Sequence, residues 1–220
     1  MAGDKWKVLK MQAWLEHFGI AVAALTGVLA ARGRRVDLFG VVVLAMVTAL
    51  GGGTLRDLLT GDTPVLWVRH PEYLLNAVAV AVGGFFIARH RQPPLAALQV
   101  ADAFALALFS IIGAKKALGL DFSPSVAIAM GVSTGVAGGI LRDVLVGEIP
   151  LVFRPEIHLY ATAALAGVAL HVTLRPHIAS ETVLTILSTG AILALRLAAI
   201  RWRLALPLFE AEKDVSQQRE

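Results

Sequence analysis

Long apolar runs separated by short polar connectors dominate this sequence. A helix that crosses the hydrocarbon core of a membrane needs about 20 mostly apolar residues. The pattern predicts an all-α polytopic membrane protein with seven transmembrane helices and a polar C-terminal tail at 207–220. The seven predicted spans cover residues 12–31, 36–59, 72–88, 97–118, 123–146, 156–174 and 181–200.

The first run is interpreted as a retained helix. No convincing small-residue cleavage site follows it before the second span begins, and this disfavours the alternative of a cleaved leader. If the N-terminus lies outside, 12 of the 20 Lys and Arg residues fall on the inner side. Because Lys and Arg concentrate in cytoplasmic loops, we expect the N-terminus outside and the C-terminus in the cytoplasm.

Composition agrees with a membrane environment. Hydrophobic residues make up 57% of the 220 residues and charged residues 16%, whereas a soluble domain has about 45–50% and about 25%. The formal net charge of +4 comes from basic residues scattered singly or in small groups between apolar runs, so we expect no nucleic-acid partner. The absence of cysteine excludes disulfides, thiolate metal sites and a cysteine nucleophile.

The chain contains an internal duplication. Segment 51–64 aligns with segment 137–150, so that each position in the first copy corresponds to the position 86 residues later. Eight of the fourteen aligned pairs are identical. We expect a first three-helix repeat at 12–90, a second at 97–174 and a seventh helix at 181–200 outside both. Because three crossings are an odd number, the second copy is inverted, and a pseudo-two-fold axis lies in the membrane plane.

Glycines cluster inside the second and fifth spans, at 51–53 and 138–139, with Ala137 in place of a third glycine in the second copy. Glycine weakens a helix by about 1 kcal/mol relative to alanine. We therefore expect both helices to unwind at mid-membrane, which frees carbonyl oxygens to coordinate a cation. Close helix packing is the alternative. The predicted ion pathway is lined by Thr48, Gly51, Gly52, Gly53, Thr134, Gly138 and Gly139.

An Arg–Asp pair follows the glycines in each copy. Adjacent residues point in different directions on a helix, so we expect Arg56 to pair with an acidic residue elsewhere: Asp143, or Glu16 and Asp102 on the first and fourth spans. An ion pair that caps a helix end at the membrane interface is the alternative. The candidate structural or gating charges are Arg56, Asp57, Arg142, Asp143, Glu16, Asp102 and Lys115.

Sequence signatures of enzymes are absent. The sequence holds no phosphate-binding loop, no His-Glu-x-x-His metal motif and no Gly-x-Ser-x-Gly nucleophile elbow. The histidines show no ligand spacing. We therefore expect neither an enzyme nor a cofactor, and no metal beyond a transient monovalent cation.

The seven spans, the two repeats and the doubled Gly-Gly-x-x-Arg-Asp motif with Gly-x-x-Pro after it resemble the prokaryotic branch of the trimeric intracellular cation channel family, over about residues 12–200. The same sequences are also described as a glycine transporter domain. The resemblance implies a homotrimer in the lipids of a bacterial inner membrane. It implies a pore in each protomer, flanked by the second and fifth helices, for potassium foremost and sodium.

Two alternatives remain at this point. An inverted repeat with broken helices suits a carrier for a small neutral amino acid such as glycine as well as it suits a channel. A structural subunit embedded in lipid, with no permeant, is the other.

Overall fold

The computed structural model describes residues 2–90, 96–154 and 159–204, and within these ranges the regular structure is entirely helical. The predicted polar tail at 207–220 lies outside the described residues. The helices are α1 (Ala2–Ala31), α2 (Leu38–Thr60), α3 (Leu66–Arg69), α4 (Pro71–His90), α5 (Ala96–Gly119), α6 (Pro124–Leu145), a 3₁₀ turn (Leu151–Phe153), α7 (Tyr160–Leu174) and α8 (Glu181–Trp202).

The seven predicted spans correspond to α1, α2, α4, α5, α6, α7 and α8. Within the described ranges, six of these helices are long and apolar enough to cross a membrane, and α7 is a shorter apolar helix. Large apolar side chains cover the outer surface, with Phe39 and Trp14 each 76% exposed, as expected where lipid is the solvent. The predicted all-α polytopic architecture is confirmed. The short α3 and the 3₁₀ turn were not predicted.

Polar residues and glycines set the limits of α2. Its N-terminus is capped by Asp37, whose Oδ1 accepts a hydrogen bond from the Gly40 amide at 2.8 Å. It ends at Gly61, which adopts the left-handed conformation at φ 70° and donates its N–H to the carbonyls of Asp57 and Leu58. Gly147 occupies the equivalent place after α6 with φ 72°. The repeated glycine before each proline is therefore a helix stop.

The helices form two three-helix bundles. α1, α2 and α4 pack together, α5, α6 and α7 form the second bundle, and α8 lies against α5 and α7. The bundles meet where α1 contacts α5 and α2 contacts α6. Fully buried alanines occupy many of these contacts, among them Ala24, Ala45 and Ala114, because small residues let helix backbones approach closely in a membrane.

The prediction that glycines interrupt the second and fifth spans is wrong. α2 is helical without a break from Leu38 to Thr60, and α6 from Pro124 to Leu145. Gly52 and Gly138 serve close packing instead, which was the alternative. Their missing side chains let two regular helices cross at backbone contact, so no carbonyl is released by unwinding.

Candidate functional site

α2 and α6 cross at backbone contact, and the contact is reciprocal. A Cβ on Gly52 would overlap the carbonyl oxygen of Thr134 and lie 3.3 Å from its carbonyl carbon. A Cβ on Gly138 would overlap the carbonyl oxygen of Thr48 and lie 3.4 Å from its carbonyl carbon. The two contacts exchange under the 86-residue offset, as expected for a pseudo-two-fold axis between these helices.

The two predicted threonines lie at this crossing. Thr48 donates its hydroxyl to the Leu44 carbonyl, and Thr134 donates to the Met130 carbonyl, each at 2.6 Å. Both bonds return to the preceding turn of the same helix. The hydroxyl oxygens keep lone pairs that can accept a further hydrogen bond.

The Arg142 guanidinium is fully buried at the end of α6 and is held by acidic residues of two helices. Its Nε donates to Asp143 Oδ1 at 2.8 Å. Its Nη1 donates to Asp102 Oδ1 on α5 at 2.7 Å and to the Thr26 hydroxyl on α1 at 3.0 Å. Asp102, named from the sequence as a candidate partner of Arg56, is therefore paired with Arg142 instead.

Neighbouring residues form ion pairs, contrary to the sequence prediction. Arg56 Nε donates to Asp57 Oδ1 at 2.8 Å, and the same bond joins Arg142 to Asp143. The long arginine side chain folds back along the helix, so its Nε reaches the next residue although the Cβ atoms diverge. No ion pair between Arg56 and Asp143 occurs in the described part of the chain.

Each of these aspartates also fastens the connector that follows its helix. Asp57 Oδ2 accepts the backbone N–H of Leu66, and Asp143 Oδ2 accepts that of Leu151, both at 2.8 Å. The aspartate of the Arg–Asp motif therefore joins the end of its helix to the following connector in both repeats. This agrees with the alternative reading of the pairs as charges that cap helix ends.

The connector after α2 and the connector after α6 each form an ion pair with a basic residue of the other bundle. Lys116 of α5 contacts Asp57 at 2.6 Å and Asp62 at 2.5 Å. Asp62 is also paired with Arg69 at 2.7 Å. The hydrogen bonds from Lys116 and Arg69 lower the pKa of Asp62 to about 2. In the second repeat Glu148 takes the corresponding place, paired with Arg34 and with Arg154.

Lys115, the lysine proposed from sequence, lies apart from the Arg–Asp pairs. Its Nζ contacts the Thr185 hydroxyl and the Glu181 carboxylate of α8, both at 3.1 Å. Lys116 is the residue that joins the charge cluster. The sequence could not show which of the two adjacent lysines faces the charge cluster, because this depends on the rotation of α5 about its axis.

Two tyrosines belong to the site and were missed from sequence. Tyr73 donates its hydroxyl to Glu16 Oε2 at 2.7 Å. The Tyr160 hydroxyl lies 3.1 Å, and Asp102 Oδ1 3.4 Å, from the position of a Cβ on Gly139. A carboxylate on the first helix of each repeat therefore has a tyrosine from the third helix close by.

Two small cavities adjoin each other inside the bundle and share three lining residues. The first, which we name the Glu16 cavity, has about 20 Å³ open to the centre of a water molecule and is lined by residues including Glu16, Thr54 and Arg56. The second, the Asp102 cavity, has about 10 Å³ and lies at the helix crossing. Each is large enough for about one water. The predicted pathway residues that line the Asp102 cavity are Thr48, Gly52, Gly53, Thr134, Gly138 and Gly139.

Gly51 is the predicted pathway residue that borders neither cavity. It faces Leu141 of α6, whose Cδ1 lies 2.7 Å from the position of a Cβ on Gly51. Gly53, by contrast, borders both cavities. The three consecutive glycines therefore face three different surroundings.

Polar atoms beside the Asp102 cavity remain without protein partners. Among the described residues, Asp102 Oδ2 and Arg142 Nη2 are buried and form no hydrogen bond. Buried polar atoms are almost always paired with protein or water, so these atoms suit a hydrated passage. No group of His, Cys, Asp or Glu suited to hold a bound metal ion occurs in the described part of the chain.

Fold and site define the class: a polytopic α-helical membrane protein of seven apolar helices, with buried charged residues and water-sized cavities inside the helix bundle. A family model described as Glycine transporter matches residues 13–89 and again 99–176. The chain belongs to this family, which is related to the trimeric intracellular cation (TRIC) channels.

Curated relatives and solved structures agree with this membership. The chain is 44% identical to the inner membrane protein YadS of Escherichia coli K12, covering 91% of this chain and 97% of that protein. It is 42% identical to the TRIC channel orthologue of Rhodobacter sphaeroides, with TM-score 0.83 over 88% of this chain and 99% of the other. A second TRIC cation channel structure is 32% identical with TM-score 0.81, over 91% and 98%.

Proposed function

We propose that this protein is a potassium-permeable cation channel of a bacterial inner membrane, with a pore in each protomer of a homotrimer. The observation that carries the proposal is the pair of adjoining cavities inside the helix bundle, each lined by a buried carboxylate. Acidic residues inside a membrane are costly, and they commonly mark ion pathways. The solved neighbours, at 42% and 32% identity, are described as trimeric cation channels.

The charge arrangement favours a small cation over an anion. Glu16 and Asp102 occupy equivalent places in the two repeats, and Asp102 keeps one oxygen free of protein hydrogen bonds. A carboxylate oxygen beside a narrow polar space attracts a cation and repels an anion. Because the two helices are regular, the permeant ion contacts side chains and water, not unwound backbone.

We further propose that the two segments 12–90 and 97–174 are the repeats that enclose this pathway and that the N-terminus lies outside. Glu16 lies near the start of the apolar span Ala13–Ala31 of α1, and Asp102 lies near the start of α5. In an inverted repeat these two helix starts face opposite sides of the membrane. The pathway therefore has one buried carboxylate toward each face.

Reconstitution into planar bilayers tests the proposal. The purified protein is expected to give unitary currents whose reversal potential, in a KCl gradient, lies near the potassium equilibrium potential. Asp102→Asn is expected to shift that reversal potential toward zero, since it removes a negative charge from the pathway. Glu148→Gln, an exposed acidic residue outside the cavities, is the matched control and is expected to leave it unchanged.

Two results would contradict the channel. The first is the absence of potassium-selective current from protein that elutes as a single oligomer. The second is saturable, protein-dependent uptake of labelled glycine into liposomes without unitary currents, which would establish the carrier instead.

A further inference from the structure

The Glu16 cavity and the Asp102 cavity are separate spaces with a common wall. Three residues line both of them: Ala49, Gly53 and Phe109. Two of these have a methyl group or no side chain, so neither can fill or clear a passage by changing rotamer. The Phe109 ring is the only large movable group among the three.

Phe109 leans across the bundle onto α1. Its Cζ lies 3.3 Å from the position that a Cβ would take on Gly19, so the absence of a side chain at Gly19 provides the seat for the ring. The ring is partly buried and borders both cavities. An aromatic ring between two water-sized spaces forms an apolar barrier that excludes a hydrated ion.

The repeat symmetry is broken at this place. The residue equivalent to Phe109 at the 86-residue offset is Ala23, and the residue equivalent to Gly19 is Ala105. Ala23 and Ala105 both line the Asp102 cavity. The aromatic side chain therefore occurs on α5 but not at the equivalent position of α1. The glycine that it contacts occurs on α1 but not at the equivalent position of α5.

We propose that Phe109 closes the passage between the Glu16 cavity and the Asp102 cavity, and that displacement of its ring from Gly19 connects them. This inference rests on the proposed function for the identity of the permeant ion. Whether an ion can reach the Asp102 cavity from the Glu16 cavity is testable without measuring any current.

Cysteine accessibility tests the barrier directly, because the chain has no native cysteine. Thr48→Cys places one thiol in the Asp102 cavity, and Thr54→Cys places one in the Glu16 cavity. The probe is Ag⁺, a thiol-reactive monovalent cation, added as nitrate only from the face toward which the Glu16 cavity lies. Modification is read by mass spectrometry after the membrane is washed.

With Phe109 present, Thr54→Cys is expected to react at least several-fold faster than Thr48→Cys. In the Phe109→Ala background the Thr48→Cys rate is expected to rise several-fold, and Phe109→Leu is expected to give an intermediate rise if the alanine variant fails to fold. Phe104→Ala is the matched control, since Phe104 is an equally half-buried phenylalanine of α5 that lines neither cavity. It is expected to leave the rate unchanged.

The proposal is overturned if the Thr48→Cys rate is the same with Phe109 intact and in the Phe109→Leu and Phe109→Ala backgrounds, or if Phe104→Ala raises it equally. Bilayer currents give a second reading, with higher open probability or conductance expected for Phe109→Ala. If no variant conducts cations, the proposed function fails, while the Ag⁺ rates still decide whether Phe109 separates the cavities.

Discussion

Gly52 of α2 packs directly on the backbone of Thr134 of α6, so closely that a Cβ on Gly52 would overlap the threonine carbonyl oxygen. The neighbouring Gly53 is different, since the nearest atom to its imagined Cβ is Arg56 Nη2 at 3.8 Å. Consecutive glycines in one helix thus have opposite tolerance for a methyl group.

Gly52→Ala is therefore expected to destabilise the protein by about 1–3 kcal/mol, the usual range for overpacking, whereas Gly53→Ala is expected to be neutral or to stabilise by up to about 1 kcal/mol through helix propensity. Thermal unfolding in detergent, followed by tryptophan fluorescence, measures both. Equal effects of the two substitutions would mean that α2 and α6 do not cross at Gly52.

Asp102→Ala is expected to cost about 3–5 kcal/mol, because it removes a carboxylate that neutralises the fully buried Arg142. The double variant Asp102→Ala with Arg142→Met is expected to recover part of that loss. Guanidinium unfolding in micelles gives the free energies for the double-mutant cycle.

The matched control for that cycle is Glu148→Ala, which breaks ion pairs whose side chains are 31–46% exposed. Exposed pairs contribute about 0–1 kcal/mol. A loss at Glu148 as large as that at Asp102 would contradict the structural distinction between the buried and the exposed cluster.

The adjacent lysines are expected to protect different segments. Lys116→Met removes the contacts with Asp57 and Asp62, so amide hydrogen exchange is expected to accelerate in the connector from Gly61 to Arg69. Lys115→Met removes the contacts with α8, so exchange is expected to accelerate at the start of that helix. Mass spectrometry of peptides resolves the two regions, and identical patterns for both variants would refute the assignment.

The lowered pKa of Asp62 makes the free energy of unfolding depend on pH. Its pKa falls from 3.8 to about 2 on folding, so its stabilising contribution is present above about pH 4 and is lost as the pH falls through about 2. Asp62→Asn is expected to lower stability modestly at pH 7, by at most about 1 kcal/mol for a partly exposed ion pair. Unfolding curves of both proteins should converge toward pH 2, and a difference that widens in acid would have the wrong sign.

Sequence pattern was sufficient for the all-helical membrane architecture and for the family. Glu16, Asp102 and most of the predicted pathway positions line the two cavities, whereas Asp57 and Asp143 border neither, and the role of all these residues in ion passage stays a prediction. The sequence pattern was insufficient to predict which charged side chains form ion pairs. It favoured partners distant from Arg56, and it favoured Lys115 over Lys116. Both errors concern side-chain reach, which depends on helix rotation and on the length and folding of each side chain.

The sequence by itself determined the seven apolar helices and the duplication, because the length of apolar runs and the repeated motif are properties of the chain alone. Only the tertiary structure decided that glycines join two regular helices instead of breaking them, and that Phe109 borders both cavities. Glycine permits both unwinding and close approach, and the choice between them depends on whether another backbone fills the space that the missing side chain leaves.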